Sequence, residues 1–487
     1  MMKKIEINPI SRIEGHAKIV INLDEDESVK DARFEVTDFR GFEKFSEGRP
    51  FYEMPSITSR VCGICPVSHL LASSKACDQI IGVKPPRTAI KLRRLMHMGQ
   101  LIQSHALNLF YLSFPDLLFG MDSNPAERNF FGLINQHPDI ARQGIRLRKF
   151  GQDIIQTLAG KRIHSSAWVL PGGVKSPPQK EQISALLSEV PEALKITLKT
   201  LNEFKDWLQD LKEEIHNFGN FPSYYMGLVT SKGGLEHYDG KIRIVDSKGE
   251  IVADQLDPHN YQEYVGEATE TWSYMKFPYY KPIGYPKGAY RVGPLARLNI
   301  ASHCDTPLAN KELTNFKRLG KNGVVQSTFL YHQARLVELL FCIETAKNLL
   351  EDPEIYSEHV RAKASVNNKE GIGVVEAPRG TLIHHYNVDK DGILKGVNMI
   401  IATEHNNIAY NKAITQVAKK YVISNQLTEG MLNRVEAVIR AFDPCLSCAT
   451  HALGKMALDV QLLNFRGKLI DHTVRGEQIE GSLLKPS

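Results

Sequence analysis

The chain carries Arg60-Val-Cys-Gly-Ile-Cys-Pro-Val-Ser-His69 near one end and Asp443-Pro-Cys-Leu-Ser-Cys-Ala-Thr-His451 near the other. Each segment holds a Cys-x2-Cys pair followed by a histidine: Cys62 with Cys65, and Cys445 with Cys448. A two-residue spacer puts both sulfurs on one tight turn or on the first turn of a helix, so each pair can grip one centre. Between the pairs lie 379 residues, so a single four-sulfur site forms only if the whole chain closes on itself. A zinc ribbon joins its pairs over roughly 15–20 residues, far fewer than here. Four soft thiolates suit zinc, nickel, copper(I) or iron. Ligand type therefore leaves a structural zinc site and a catalytic transition-metal site both open. Two separate thioredoxin-like redox pairs are a third reading, and neither pair sits in a clear strand–CxxC–helix unit.

Seven cysteines are present in all, and Cys77, Cys304 and Cys342 have no ligand spacing. These three read as small buried hydrophobes. An iron–sulfur cluster usually takes four thiolates. If the paired cysteines hold one centre, too few remain for a cluster that carries electrons away. Redox chemistry at the site then requires a partner protein.

The chain has 487 residues, enough for a large core, with 42% hydrophobic and 24% charged residues, an ordinary globular balance. A net charge of +5 and no long Lys/Arg run give no support for nucleic-acid binding. The start lacks the apolar stretch of a signal peptide. The greasiest segment, 336–350, contains Glu338, Glu344, Lys347 and Asn348, which rules it out as a membrane span. Few cysteines and no signal fit a reducing cytoplasm.

Hydrophobic alternation predicts short strands at 4–7, 16–23 and 32–37. Helical spacing follows at 65–81, 88–112, 180–218 (as two helices broken near Pro191), 326–350 and 430–441. Hairpins are expected at 241–254 and 381–403, and an ordered loop at 276–299. The fold class is α+β: a predominantly helical body with a long-helix bundle and small β additions. The division expected is a β-rich segment at 1–60, a helical catalytic body at 61–451, and an extension at 452–487.

The two cysteine segments resemble the signature motifs of nickel–iron hydrogenase large subunits. Arg12-Ile-Glu-Gly-His16, Arg40-Gly-Phe-Glu43 and Glu376-Ala-Pro-Arg-Gly380 agree, in the right order. The segments Glu43-Lys-Phe-Ser-Glu-Gly-Arg-Pro50 and Tyr290-Arg-Val-Gly-Pro-Leu-Ala-Arg297 resemble the soluble bidirectional, NAD-reducing branch. Soluble relatives that reduce deazaflavin or pass electrons to a disulfide reductase are the alternatives.

The resemblance implies that Cys62, Cys65, Cys445 and Cys448 bind nickel. Cys65 and Cys448 would bridge to an iron carrying carbon monoxide and cyanide. Glu43, His451 and the backbone carbonyl near Met399 would bind a magnesium-like ion. It implies further that Glu14 relays protons, that Arg379 lies over the open metal face, and that Thr403 places a hydroxyl near a cyanide. An arginine pKa above about 12 makes Arg379 a poor base, so the terminal thiolate of Cys445 is the expected proton acceptor. Asp116 and Asp443 are expected partners for Arg379, and His69 a hydrogen-bond partner of a cysteine sulfur. His16, His105, His384 and His385 are read as structural or supporting residues. Implied partners are an iron–sulfur small subunit, diaphorase subunits, nickel chaperones and an endopeptidase that removes the extension after His451. That cleavage is expected to let Cys445 and Cys448 close over the metals.

Overall fold

The structure, a computed structural model, describes residues 4–424, 426–451, 458–464 and 468–475. Its centre is built on helices. Arg87–Ala106, Pro138–Ala159, Lys180–Asp210 and Tyr331–Leu350 pack against one another as the expected bundle. Pro138–Ala159 is amphipathic and turns Ala141, Leu147, Phe150, Ile154 and Leu158 inward. Tyr331–Leu350 is buried nearly all round, as a helix is when other elements cover every face. The same holds for Pro66–Ile80, which begins directly after the first cysteine pair. Its Pro66 stands at the first helical position, where a missing N–H costs nothing.

Three sheets of three or more strands surround this body among the described residues. Lys4–Ile7, Lys18–Leu23 and Val29–Glu35 form an antiparallel sheet in chain order. Tyr290–Arg291, Tyr224–Val229, Lys241–Val245 and Ile251–Leu256 form a second, which contains the expected hairpin. Glu370–Ala377, Gly380–Val388 and Leu394–Ile400 form the third. Its first strand was not anticipated, because Gly371 and Gly373 interrupt the apolar run. Those glycines let Pro66–Ile80 lie close on the strand: a Cβ at Gly373 would stand 1.8 Å from the Ala72 carbonyl.

Other departures have local causes. The helix predicted for 88–112 runs as Arg87–Ala106 and then widens into a π-turn, Leu107–Ser113. Lys180–Asp210 does not break at Pro191. That proline is exposed, and the packed inner face of the helix carries it through. The chain breaks instead at Leu211, before Lys212–Asn217. The helix expected from 326 begins at Tyr331 after a 3₁₀ turn, Thr328–Leu330. The region 276–299 is more regular than a loop, with strands Phe277–Tyr280 and Tyr290–Arg291 and the start of helix Pro294–Ile300. Beyond His451, Leu458–Leu463 and Leu469–Arg475 pair as a hairpin.

Candidate metal centre

The four paired cysteines meet. Their Sγ atoms all lie within 4.8 Å of one another, with 3.2 Å between Cys62 and Cys445, 3.3 Å between Cys65 and Cys448, and 2.9 Å between Cys445 and Cys448. All four are buried and reduced. The other cysteines are buried too, with Cys77, Cys304 and Cys342 pushed up by burial, as inert thiols are.

Each pair is fixed by its own loop. Cys62 Sγ accepts N–H bonds from Ile64 at 3.2 Å and Cys65 at 3.3 Å. Gln100 and Gln103, one turn apart on Arg87–Ala106, donate to the Ile64 carbonyl at 2.8 and 2.6 Å. The second pair follows helix Glu429–Phe442, which Asp443 ends in the left-handed conformation. The Cys445 N–H donates to Thr403 Oγ1 at 3.0 Å. Arg40 ties the two loops together, donating from Nη1 to the carbonyls of Val61 at 2.5 Å and Ser447 at 2.9 Å.

The segment around Glu14 runs beside the second pair. Leu446 N–H donates to the Glu14 carbonyl at 3.1 Å, and Ser447 donates to the Glu14 carboxylate from both its N–H and its hydroxyl. Gly15 permits this approach, since it has a positive φ and a Cβ there would stand 2.7 Å from the Leu446 Cβ. Glu14 is half-buried, and the Ser447 hydroxyl that donates to it lies 4.0 Å from Cys445 Sγ. It does not pair with Arg12, which instead joins Asp116, Arg440 and Asn433 in a separate buried cluster.

Arg379 occupies the two-residue turn between Ala377 and Gly380. Its Nε donates to the Asp443 carbonyl at 2.6 Å and its Nη2 to Asp443 Oδ1 at 3.1 Å. Of the two expected aspartate partners, only Asp443 is used; Asp116 is taken by Arg12, Arg128 and Arg440. Nη1 is buried without a partner among the described residues. Burial works against the guanidinium charge, but Asp443 and the Cys445, Cys65 and Cys62 sulfurs outweigh it and hold Arg379 protonated.

Glu43 and His451 come from adjoining segments. Arg40 and Gly41 donate their N–H groups to the Thr450 carbonyl at 2.8 and 3.2 Å, and Phe42 meets the His451 ring edge-on. Burial pushes the Glu43 carboxyl up, and its Oε1 accepts the Met399 N–H at 2.7 Å. Thus it is the N–H of Met399, on Leu394–Ile400, that reaches Glu43. Both His451 ring nitrogens are buried without a partner among the described residues, and burial holds the ring neutral.

These donors fit metals. Burial drives the Cys445 and Cys448 thiols far up, while hydrogen bonds from Cys445, Cys448 and Cys62 draw Cys65 down. A thiol cluster of this kind ionises fully only with added positive charge, which a bound transition metal brings. The orphaned His451 nitrogens and the Glu43 carboxylate suit a second divalent ion. His16 is exposed beside Asp38, His105 bonds Glu338, and His385 lies between Tyr261 and Glu370, so none of them joins the thiols. A cavity of about 590 Å³ lies elsewhere, lined by Trp272, Phe277, Tyr285 and Lys412. The parts missed from sequence are Ser447, Arg40 as a clamp, and the two glutamines. Arg40 had a signal in its motif; the others are ordinary polar residues that only the fold brings here.

Comparison with known families matches residues 4–39 to a HoxL-like model and residues 40–123 and 237–451 to the nickel-dependent hydrogenase model. The chain is 42% identical over 491 residues to the beta chain of the NAD-reducing hydrogenase HoxS of Cupriavidus necator, covering 98% of this chain and 100% of that one. It is 42% identical over 460 residues to a chain of the F420-non-reducing hydrogenase vhc of Methanococcus voltae, covering 93% and 96%. A crystal structure of an NAD+-reducing [NiFe]-hydrogenase in the H2-reduced state superposes with a TM-score of 0.89 at 45% identity, covering 92% of this chain and 99% of that chain.

Proposed function

The chain belongs to the nickel-dependent hydrogenase family, and from that premise we propose that it splits H2 reversibly at the four-cysteine centre and feeds the electrons, through an iron–sulfur small subunit, to NAD. The convergence of Cys62, Cys65, Cys445 and Cys448 within 4.8 Å carries this reading. The four thiolates would hold nickel, with Cys65 and Cys448 shared with an iron that carries carbon monoxide and cyanide. When bound, this centre supplies the Lewis acid and electron sink that heterolytic H2 cleavage needs. Glu43 and His451 would hold a magnesium-like ion beside it.

The chain's own groups handle the proton. Cys445 Sγ is the acceptor, being a sulfur rather than a guanidinium held firmly protonated. Arg379, clamped by Asp443 and with Nη1 unpartnered among the described residues, polarises what enters the thiol site. Glu14 takes the proton from the thiol side by way of the Ser447 hydroxyl and passes it toward solvent. Thr403 fixes the Cys445 backbone and so the angle of that sulfur.

The relative at 42% identity named for NAD reduction supports the NAD linkage. A second reading, an acceptor other than NAD, draws on the methanogen relative of equal identity. Diaphorase subunits, nickel chaperones and a cytoplasmic location belong to the first reading; among the described residues no helix is long and apolar enough to cross a membrane. We also infer removal of the segment after His451. The solved NAD+-reducing chain is matched over 99% of its length but spans 92% of this one, a shortfall of about that segment's size. In the structure the four thiols and His451 are buried; closure of Cys445 and Cys448 over the metals on cleavage belongs to this same reading. The test is H2-dependent reduction by the purified complex. NAD and a viologen dye should both be reduced; dye reduction without NAD reduction would favour the second reading, and reduction of neither acceptor would refute H2 activation.

A further inference from the structure

The cavity of about 590 Å³ lies between helix Asn407–Tyr421 and a wall of aromatic rings, away from the four thiols. Helical spacing makes its floor. Asn411, Lys412, Thr415, Gln416 and Lys419 recur at steps of three and four residues and share one stripe, while Tyr410, Ala413, Ile414 and Val417 turn into the core. The wall is Trp272, Phe277 and Tyr285. Phe277 meets Trp272 edge-on at 5.1 Å between ring centres and Tyr285 edge-on at 6.4 Å, so each ring holds the next. The wall therefore stands before anything binds, and the volume is that of a small-molecule site.

The polar side chains on the lining divide into those already engaged and those that are not. Thr415 and Asn411 accept the N–H groups of Ala32 and Phe34, each at 2.9 Å, and so seal the edge of Val29–Glu35. Gln416 bonds the Asn220 backbone through both ends of its amide, at 2.6 and 2.9 Å. Asp31, the one carboxylate on the lining among the described residues, accepts from Asn22 at 2.7 Å and stands 3.9 Å from Arg33. Arg33 in turn lies over the Trp272 ring at 5.5 Å. Lys412 and Lys419 have neither an ion pair nor a hydrogen bond among the described residues. Desolvation and Arg291 draw the Lys412 ammonium down, and no carboxylate offsets them. Two unpaired ammonium groups thus share one cavity with a preformed wall of rings. They stand two turns apart on the helix, about 10 Å along its axis, a span that their flexible four-carbon stems can close on one acidic group.

We propose that this cavity binds a planar aromatic anion, with its rings packed against Trp272, Phe277 and Tyr285 and its negative group held by Lys412 and Lys419. A neutral ring leaves both ammonium groups unmet, and a cationic one meets like charge from Arg33 as well.

The test titrates the full-length chain with two fluorescent probes of similar ring system, anionic 8-anilinonaphthalene-1-sulfonate and neutral N-phenyl-1-naphthylamine. The double variant Lys412→Gln/Lys419→Gln should weaken the sulfonate by about fivefold or more and move the neutral probe by less than about twofold. Trp272→Leu should weaken both probes by about threefold or more. Both lysines are exposed, so the double variant is expected to keep the thermal midpoint of the unaltered chain. Sulfonate binding that survives loss of the lysines, an equal change in both probes, or a Trp272→Leu chain that binds both probes as before would overturn the proposal. In the assembled complex the lysine-dependent sulfonate binding should persist; its disappearance there would assign this face to a neighbouring subunit and overturn the small-ligand site. Neither metal nor H2 enters these readings, so they stand or fall apart from the hydrogenase reading.

Discussion

Arg379 is held at two points by Asp443, and the cysteine sulfurs favour its charge, so its fork geometry matters as much as its charge. Lysine carries the charge but cannot make the two-point contact. Arg379→Lys is expected to lower H2 oxidation on the order of 100-fold while nickel content stays constant; full activity by rate assay, or loss of nickel by metal analysis, would contradict the role. Glu14→Gln keeps the size and an acceptor oxygen for one of the two bonds from Ser447 but removes the exchangeable acid. Proton export should slow by about 100-fold or more, seen as a collapse of hydrogen–deuterium exchange with solvent, at unchanged metal content. The cysteines, Glu14, Glu43, Arg379 and His451 were legible because they sit in motifs. Ser447, Gln100 and Gln103 were not, because a lone polar residue becomes a support only after distant segments meet. Asp116 shows the reverse: its motif position suggested Arg379, but the π-turn before it and three arginines around it claim the carboxylate.

At the scale of elements, the helices and sheets around the centre are held by groups that burial forces into one charge state. His105, on Arg87–Ala106, is lowered to about 4 by burial, against about 6.5 in an unfolded chain. A folded pKa below the unfolded one contributes stability that is present above the unfolded value and lost as pH falls toward the folded value. Thermal stability should therefore decline as pH drops from about 6.5 to about 4. His105→Gln, which keeps a donor for Glu338, should reduce that slope in melts across this range, and an unchanged slope would contradict the assignment. Glu338 is held well below the usual carboxylate range despite its burial, because Arg297 grips both its oxygens at 2.5 and 2.7 Å. The glycine contact is a second element-scale test. Gly373→Ala pushes Pro66–Ile80 off its strand and should cost about 1–3 kcal/mol in denaturant unfolding; no loss would mean the close approach is absent. This contact explains why Glu370–Ala377 escaped the hydrophobic pattern: its glycines weaken the strand signal in order to admit a helix.

The whole molecule is organised by one requirement, that segments 379 residues apart in sequence share a single site. That requirement is legible in the two cysteine pairs read with their flanking motifs, and the α+β helical body in the hydrophobic periodicity. The route of closure is not, since it depends on Arg40 bridging the two loops and on the Glu14 segment pairing beside Cys445. At this scale the active chain is expected to end at His451, which intact mass spectrometry of H2-oxidising complex checks; a mass that includes residues 452–487 would contradict the inferred cleavage. The most direct test of the central claim is quantitative metal analysis of this chain separated from that complex. Nickel and iron should be bound to it in equal amounts, with nickel lost when Cys62 or Cys445 is replaced by serine. Zinc alone in the chain taken from a fully active complex, or nickel undiminished in both serine variants, would contradict it.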